Sequence, residues 1–151
     1  ESATAEMYTR SLPDALPVWL REALSPYKGR GIATKGGQAR HGPDLWRPVG
    51  NPDYLRQCVM MSMRRLGVER SDLWQLHRVG PDTTPERQFE EIATMRAQGL
   101  TRHVGLSEVT VEMIERARLY FPVATVQNRF NLVNRHSEAA QIGKAVRRER
   151  V

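Results

Sequence analysis

The sequence predicts an α/β fold in which parallel strands alternate with helices. Short apolar segments recur along the chain, and amphipathic segments of helical length separate them. Polar residues close four of these apolar segments, namely Lys35, His77, Ser107 and Gln127. Because parallel strands place their carboxyl ends on one edge, where active sites of such proteins lie, these four residues are predicted to share one site.

Length and composition fit a single domain over residues 1–151. The chain has 40% apolar and 26% charged residues, which is within the globular range. Its net charge of +6 is compatible with anionic partners such as nucleic acid, acidic membranes or a phosphorylated cofactor. The arginines are scattered and form no aromatic-interleaved stripe, so a solvated charged surface is the default interpretation and nucleic acid is not favoured. No apolar run is long enough to predict a membrane span.

Cysteine and histidine usage predicts neither a disulfide nor a metal site. Cys58 is the only cysteine, so it forms no internal disulfide and is interpreted as a small packed hydrophobe in a reducing, cytoplasmic setting. His41, His103 and His136 lack metal-ligand spacing to one another or to Cys58. The chain shows no basic-then-apolar leader. It starts with a glutamate and not a methionine, which suggests that an upstream part is missing.

The first elements are predicted to be a helix, a short strand and a long loop. Apolar residues recur at helical spacing from Leu16 to Leu24, and glycines then lead into a buried strand at residues 32–35. Residues 38–50 are rich in Gly, Pro and Arg and predict a functional loop. Trp46 in this loop is interpreted either as a wall of a substrate pocket or as an exposed loop anchor.

The next helix has clear signals at both ends. Asn51 is a good N-cap, Pro52 suits the first helical position, and Gly67 is expected to terminate the helix. One apolar face is predicted, consisting of Leu55, Cys58, Val59 and Leu66.

Strands and helices continue to alternate after that helix. Strands are predicted at residues 72–77, 103–107 and 123–127, with Trp74 in the core. One helix between them opens at Thr84 and Pro85 and ends at Gly99. The other is capped by Thr110, is stopped by Pro122, and carries Ile114, Ala117 and Phe121. A last, charged helix is predicted at residues 144–151.

Four segments around the strand ends carry a resemblance to the aldo-keto reductase family. They are Ile-Ala-Thr-Lys-Gly-Gly, Asp-Leu-Trp-Gln-Leu-His-Arg, Arg-His-Val-Gly-Leu-Ser-Glu-Val and Val-Gln-Asn-Arg-Phe-Asn-Leu. Each is weak alone, but their order and spacing match the family up to about Arg135. The chain looks most like the bacterial, monomer-type members.

The resemblance implies a (β/α)₈ TIM barrel that binds NADP(H) and reduces the carbonyl of an aldehyde or ketone to an alcohol. It implies catalytic roles for Tyr8 as proton donor, for Lys35 as the cation beside it, and for His77 as the orienting histidine. Ser107 and Gln127 match the residues that hold the nicotinamide carboxamide, and Glu108 follows at a position where many members carry asparagine.

These roles also make chemical sense independently of the resemblance. A free phenol titrates near about 10, and a neighbouring ammonium moves its pKa toward the working pH. Tyr8 and His77 together would offer donors to the developing alkoxide.

Two features depart from the family pattern. Ala3 stands at the position of the family aspartate, so Lys35 is expected to lose a carboxylate partner and the enzyme to be weakened. A complete barrel needs roughly 250 residues, so only a partial (β/α)₈ barrel is expected, without the late nicotinamide-stacking aromatic and 2′-phosphate pocket of the family. Such a half barrel would expose two strand edges, which predicts pairing with a second copy or a completing chain.

Alternative interpretations remain for the residues and for the function. Singly, Lys35 suits a surface lysine and His77 a hydrogen-bonded core histidine. Ser107 and Gln127 lie at matching strand ends. Taken together, the four residues favour descent from a functional site. The function is then either a carbonyl reductase or a non-catalytic half-barrel module for binding or scaffolding, and a nucleic-acid binder would rest on charge alone.

Overall fold

The computed structural model describes residues 15–130. Within that range the elements in chain order are α1 (Ala15–Leu24), β1 (Ala33–Gly36), β2 (Gln38–Gly42), β3 (Leu45–Pro48), α2 (Pro52–Leu66), β4 (Ser71–Leu76), α3 (Pro85–Ala97), β5 (Thr101–Ser107), α4 (Val111–Ala117) and β6 (Val123–Gln127). Strands β1, β4, β5 and β6 form a four-stranded sheet in that order, and every pairing in it is parallel. The predicted α/β alternation is therefore confirmed.

Helix α2 has the boundaries that its end signals predict. The Asn51 side chain accepts hydrogen bonds from the backbone N–H of Asp53 at 2.9 Å and of Tyr54 at 3.3 Å. Pro52 fills the first helical position, where no intrahelical donor is needed. Gly67 ends the helix in the left-handed conformation, with φ 68°.

The core lies between one face of the sheet and the helices that cover it. Trp74 and Leu76 alternate along β4 and are both fully buried. The core cluster also contains Leu55, Val59, Phe89, Ile92, Met95, Val104, Leu106, Val109, Ala117 and Phe121. Cys58 packs against this cluster and is only partly buried. The predictions for Trp74 and for the apolar face of α2 are confirmed.

Gly36 permits the close approach of α2 to the sheet. A Cβ atom at this position would lie 2.6 Å from Cβ of Cys58 and 2.6 Å from the Trp74 ring. A side chain there would force the helix away from the strand that carries Lys35. The glycine therefore positions both elements.

Residues 38–50 are not an irregular loop, which corrects the prediction for this segment. Strands β2 and β3 pair antiparallel, and the guanidinium of Arg40 lies 5.2 Å from the ring centroid of Trp46. Trp46 and Leu45 stay exposed. The segment lacks an alternation of buried and exposed residues because neither face of the hairpin enters the core, so the usual strand signal is missing.

Phe121 is also placed differently from the prediction. Helix α4 ends at Ala117, so Phe121 lies beyond it, in the turn before β6. It is nonetheless buried and meets the Phe89 ring edge-on, with the centroids 6.0 Å apart. The helical spacing identified a core residue correctly, but Pro122 and the preceding turn place it outside the helix.

Candidate functional site

The carboxyl edge of the sheet brings three of the predicted site residues together. Lys35 is the last residue but one of β1, Ser107 ends β5, and His77 directly follows β4. The Lys35 ammonium donates a hydrogen bond to the Ser107 hydroxyl at 3.4 Å, across β4, the strand between them. The backbone N–H of His77 donates to the Gly36 carbonyl at 2.8 Å, which ties this residue to the end of β1.

Gln127 lies at the same edge, and Tyr8 lies outside the described residues. Ser107 and Gln127 are register partners in the β5–β6 pair, so both close their strands at one level. The Gln127 side chain is exposed. A hydroxyl and an exposed amide at one level supply hydrogen-bond donors and acceptors together.

Below this edge the site has a polar floor that sequence reasoning missed. The Gln75 side-chain amide donates a hydrogen bond to the Thr125 hydroxyl at 3.1 Å. It reaches over Gly105, where an added Cβ would lie 2.2 Å from Oγ1 of Thr125 and 2.9 Å from Cγ of Gln75. A glycine inside an apolar strand is the signal that could have indicated such a close approach.

Burial lowers the pKa of Lys35 and of His77 at this edge. For Lys35 the desolvation of the ammonium is the main cause, and the negative charge of Glu108 opposes it. For His77 desolvation again comes first, the positive charges of Lys35 and Arg78 lower the pKa further, and Glu108 opposes them. A lowered pKa leaves the His77 imidazole neutral near pH 7, so that one ring nitrogen donates and the other accepts.

Glu108 is engaged by the protein through both carboxylate oxygens. Oε2 lies 3.6 Å from Nη2 of Arg78, and Oε1 accepts a hydrogen bond from the backbone N–H of Arg129 at 2.5 Å. Its backbone is in the left-handed region, with φ 54°, and its N–H donates to the Gln127 carbonyl at 3.0 Å. This residue therefore joins the ends of β5 and β6 to the loop after β4.

Asn128 fixes the loop that follows β5. Its side-chain amide donates to the Val109 carbonyl at 2.7 Å and accepts from the Val109 N–H at 3.0 Å. This pair of hydrogen bonds extends the β5–β6 pairing beyond the last strand residues. Asn128 lies in one of the four family-like segments, but no role for it was predicted from the sequence.

A second clamp, also missed from the sequence, holds the loop after His77. Gln88 on α3 is fully buried, accepts from the Gly80 N–H at 3.0 Å and donates to the carbonyls of Gly80 at 2.8 Å and Thr83 at 3.1 Å. Asp82 in the same loop accepts from the N–H of Gly50 at 2.6 Å and of Asn51 at 3.0 Å. The loop is thereby tied to the start of α2 and to α3.

The edge is chemically suited to one end of a nicotinamide cofactor. The Ser107 hydroxyl and the Gln127 amide can pair with both the oxygen and the NH₂ of a planar carboxamide, since together they provide donors and acceptors at one level. The described residues therefore fit the carboxamide end of the cofactor. Among residues 15–130, no cluster of His, Cys, Asp and Glu could hold a metal ion, and no helix there is long and apolar enough to cross a membrane.

Comparison with known proteins places this arrangement in a family. The sequence model of the Aldo/keto reductase family matches residues 3–149. An uncharacterized oxidoreductase of Schizosaccharomyces pombe is 59% identical over 135 residues, covering 89% of this chain and 43% of that protein. The pyridoxine 4-dehydrogenase of Escherichia coli is 36% identical over 128 residues, covering 80% of this chain and 44% of that protein.

Solved structures give the same result for the fold. A glycerol dehydrogenase from Gluconobacter oxydans superposes with a TM-score of 0.77 at 28% identity, covering 89% of this chain and 43% of that one. An aldo-keto reductase from Bacillus halodurans superposes with a TM-score of 0.70 at 22% identity, covering 84% and 43%. These neighbours are (β/α)₈ barrels, so the predicted partial barrel is confirmed. This chain spans less than half the length of the relatives it matches. From the family match and these identities, the chain belongs to the aldo/keto reductase family.

Proposed function

We propose that this chain carries part of the active site of an NADPH-dependent oxidoreductase that converts an aldehyde or ketone to an alcohol. One observation carries the proposal: Lys35, His77 and Ser107 lie at one edge of a parallel sheet, with Lys35 hydrogen-bonded to Ser107. Membership of an oxidoreductase family supports the reaction class. The specific cofactor and the carbonyl substrate are parts of the proposal.

In this proposal Tyr8 gives a proton to the carbonyl oxygen. The Lys35 ammonium favours the phenolate and lowers the pKa of the phenol toward neutral pH. The neutral imidazole of His77 donates a hydrogen bond to the same oxygen, where negative charge develops.

Ser107 and Gln127 hold the carboxamide of the nicotinamide. When bound, the cofactor supplies hydride to the carbonyl carbon. The two side chains fix the orientation of the ring relative to Lys35 and His77, which is a positioning effect. Glu108 follows Ser107 directly, and we include it among the residues that bind the cofactor.

An inactive binding or scaffold module is the second candidate. It is favoured by Ala3, which stands at the position of the family aspartate. Pairing with a second copy or a completing chain, and a location in the cytoplasm, also remain proposals.

The two candidates differ in cofactor binding and turnover. We expect NADPH to quench the tryptophan fluorescence of the chain and to be consumed with a panel of aldehydes. Lys35→Met is expected to lower kcat/KM by about 100-fold or more, the contribution typical of a group that assists proton transfer. Lys28→Met removes an exposed lysine and serves as the matched control. Absence of NADPH binding rejects the enzyme, whereas binding with turnover rejects the inactive module.

A further inference from the structure

Glu108 lies close to cationic and hydrogen-bond-donating groups from several parts of the chain. Arg78 follows His77 in the loop after β4 and contacts the Glu108 carboxylate at 3.6 Å. Lys35 comes from β1 and hydrogen-bonds to Ser107, the residue before Glu108. Arg129 follows β6 and donates its backbone N–H to the same carboxylate at 2.5 Å. Glu108 is therefore a carboxylate beside two cations, Lys35 and Arg78, and it also accepts from one backbone N–H.

The backbone holds this carboxylate in a defined place. A left-handed conformation is unfavourable for glutamate, so it persists only where the surroundings enforce it. Here the Glu108 N–H is bound to Gln127, and the following residue, Val109, is clamped by both ends of the Asn128 amide. The side chain is also only partly exposed, with a relative accessibility of 26%. A fixed and partly buried charge acts on its neighbours more strongly than a solvated one.

We propose that Glu108 is a positioning residue that acts electrostatically and favours the protonated forms of both Lys35 and His77. It does so as the countercharge to Lys35 and Arg78, in addition to its place beside the carboxamide position. That turnover requires a charged Lys35 rests on the proposed function. The contacts of Glu108 with its neighbours do not depend on that function.

The direction of the effect follows from the charges that face each group. The field of Glu108 raises the pKa of Lys35 and of His77 against the burial of both side chains. Lys35 and Arg78 act on His77 in the opposite sense. Removing the carboxylate while leaving both cations in place therefore lowers the pKa of Lys35 and of His77 together.

The first test is an NMR titration of the His77 imidazole in the full chain. Its signals are assigned by their loss in His77→Gln. Glu108→Gln is expected to move the His77 midpoint to lower pH. Glu69→Gln is the matched control, because Glu69 is an exposed glutamate just before β4, at the opposite end of the sheet, and it should leave the midpoint unchanged. An unchanged or raised midpoint in Glu108→Gln overturns the proposal.

A second charge-removing variant protects the test against misfolding. Glu108→Gly also deletes the carboxylate, but glycine adopts the left-handed backbone without strain. The same downward shift of the His77 midpoint is expected. If Glu108→Gly folds and His77 titrates as in the parent chain, the proposal is wrong.

The pH dependence of turnover is the second readout. The alkaline limb of kcat/KM is expected to move to lower pH in Glu108→Gln, because Lys35 loses its proton earlier, and Glu108→Asp should restore it in part. A raised KM for NADPH with an unchanged pH profile would make Glu108 a cofactor contact only and would contradict the proposal. If no turnover is found at any pH, the proposed function fails, and the His77 midpoint still decides the role of Glu108.

Discussion

At the scale of single residues, the floor of the site depends on the absence of a side chain. Gln75 and Thr125 join across β5 because Gly105 leaves room for their hydrogen bond. The register partners Gln75, Gly105 and Thr125 share one level with Lys35. Any atom added at Gly105 therefore disturbs side chains at the level of Lys35.

Gly105→Ala is expected to lower the free energy of unfolding by about 1–3 kcal/mol, the usual cost of forcing an extra carbon into a packed site. The added Cβ would lie 2.2 Å from Oγ1 of Thr125, so the Gln75–Thr125 bond must break or the strands must shift. Urea unfolding measures the change.

Gly31→Ala is the matched control for this substitution. A Cβ at Gly31 meets nothing within 4 Å, so its effect should stay within about 0.5 kcal/mol. Equal stability of the two variants would show that the close approach at Gly105 does not constrain the sheet.

The common position of the candidate site residues was predictable where a polar residue followed an apolar strand. Lys35, His77 and Ser107 could be chosen because a polar group after an apolar run has a consistent position on a parallel sheet. Gln75, Asn128 and Gln88 could not be chosen. Their roles depend on partners 50, 19 and 8 positions away, and only folding shows which groups meet.

At the scale of elements, loops are held by side chains from neighbouring helices. The loop after β4 leads directly from His77 and is fixed by Gln88 on α3 and by the Asp82 contacts to the start of α2. Gly50 and Gly80 allow this packing, since a Cβ at either would fall 2.2 Å from another atom. Motion of this loop would therefore require breaking buried hydrogen bonds.

Gln88→Leu is expected to lower the free energy of unfolding by about 2–4 kcal/mol, because the Gly80 N–H and C=O lose their buried partner. Chemical denaturation with a fluorescence readout measures the loss. Turnover should fall as well if the loop positions His77.

Gln57→Leu provides the comparison at an exposed helical position. Its effect on unfolding should be within about 0.5 kcal/mol. The clamp would be unimportant to stability if Gln88→Leu unfolded at the same denaturant concentration as Gln57→Leu.

The prediction of elements succeeded for those that pack against the core. Helix α2 was defined by Asn51, Pro52 and Gly67, whose effects on the backbone are local. The β2–β3 hairpin was missed because both of its faces remain partly exposed. Without burial on one face there is no period-two pattern to find.

At the scale of the whole molecule, the described sheet has two outer strands. Among residues 15–130, β1 pairs with β4 alone and β6 pairs with β5 alone. Exposed apolar side chains lie in or near β6, namely Val126 and Phe130. Unpaired strand edges with apolar side chains favour association.

We therefore expect the 151-residue chain to sediment as an oligomer. Val126→Lys should reduce association, because a lysine on an edge strand disfavours pairing. Leu119→Lys changes a residue that is 84% exposed outside the strands and serves as the control. Sedimentation velocity over a concentration series measures both, and a strictly monomeric parent chain would contradict the expectation.

The sequence alone determined the α/β alternation, the ends of α2, the buried position of Trp74 and the choice of Lys35, His77 and Ser107 as site candidates. These features follow from short-range rules, namely caps, periodicity and the polar residues that close apolar strands. The tertiary structure alone decided the Lys35–Ser107 hydrogen bond, the Gln75–Thr125 floor, the Gln88 clamp and the convergence of Arg78 and Arg129 on Glu108. Except for the Gln88 clamp, those contacts join residues that are far apart along the chain. No local sequence pattern indicates which distant groups are brought together when strands and helices pack.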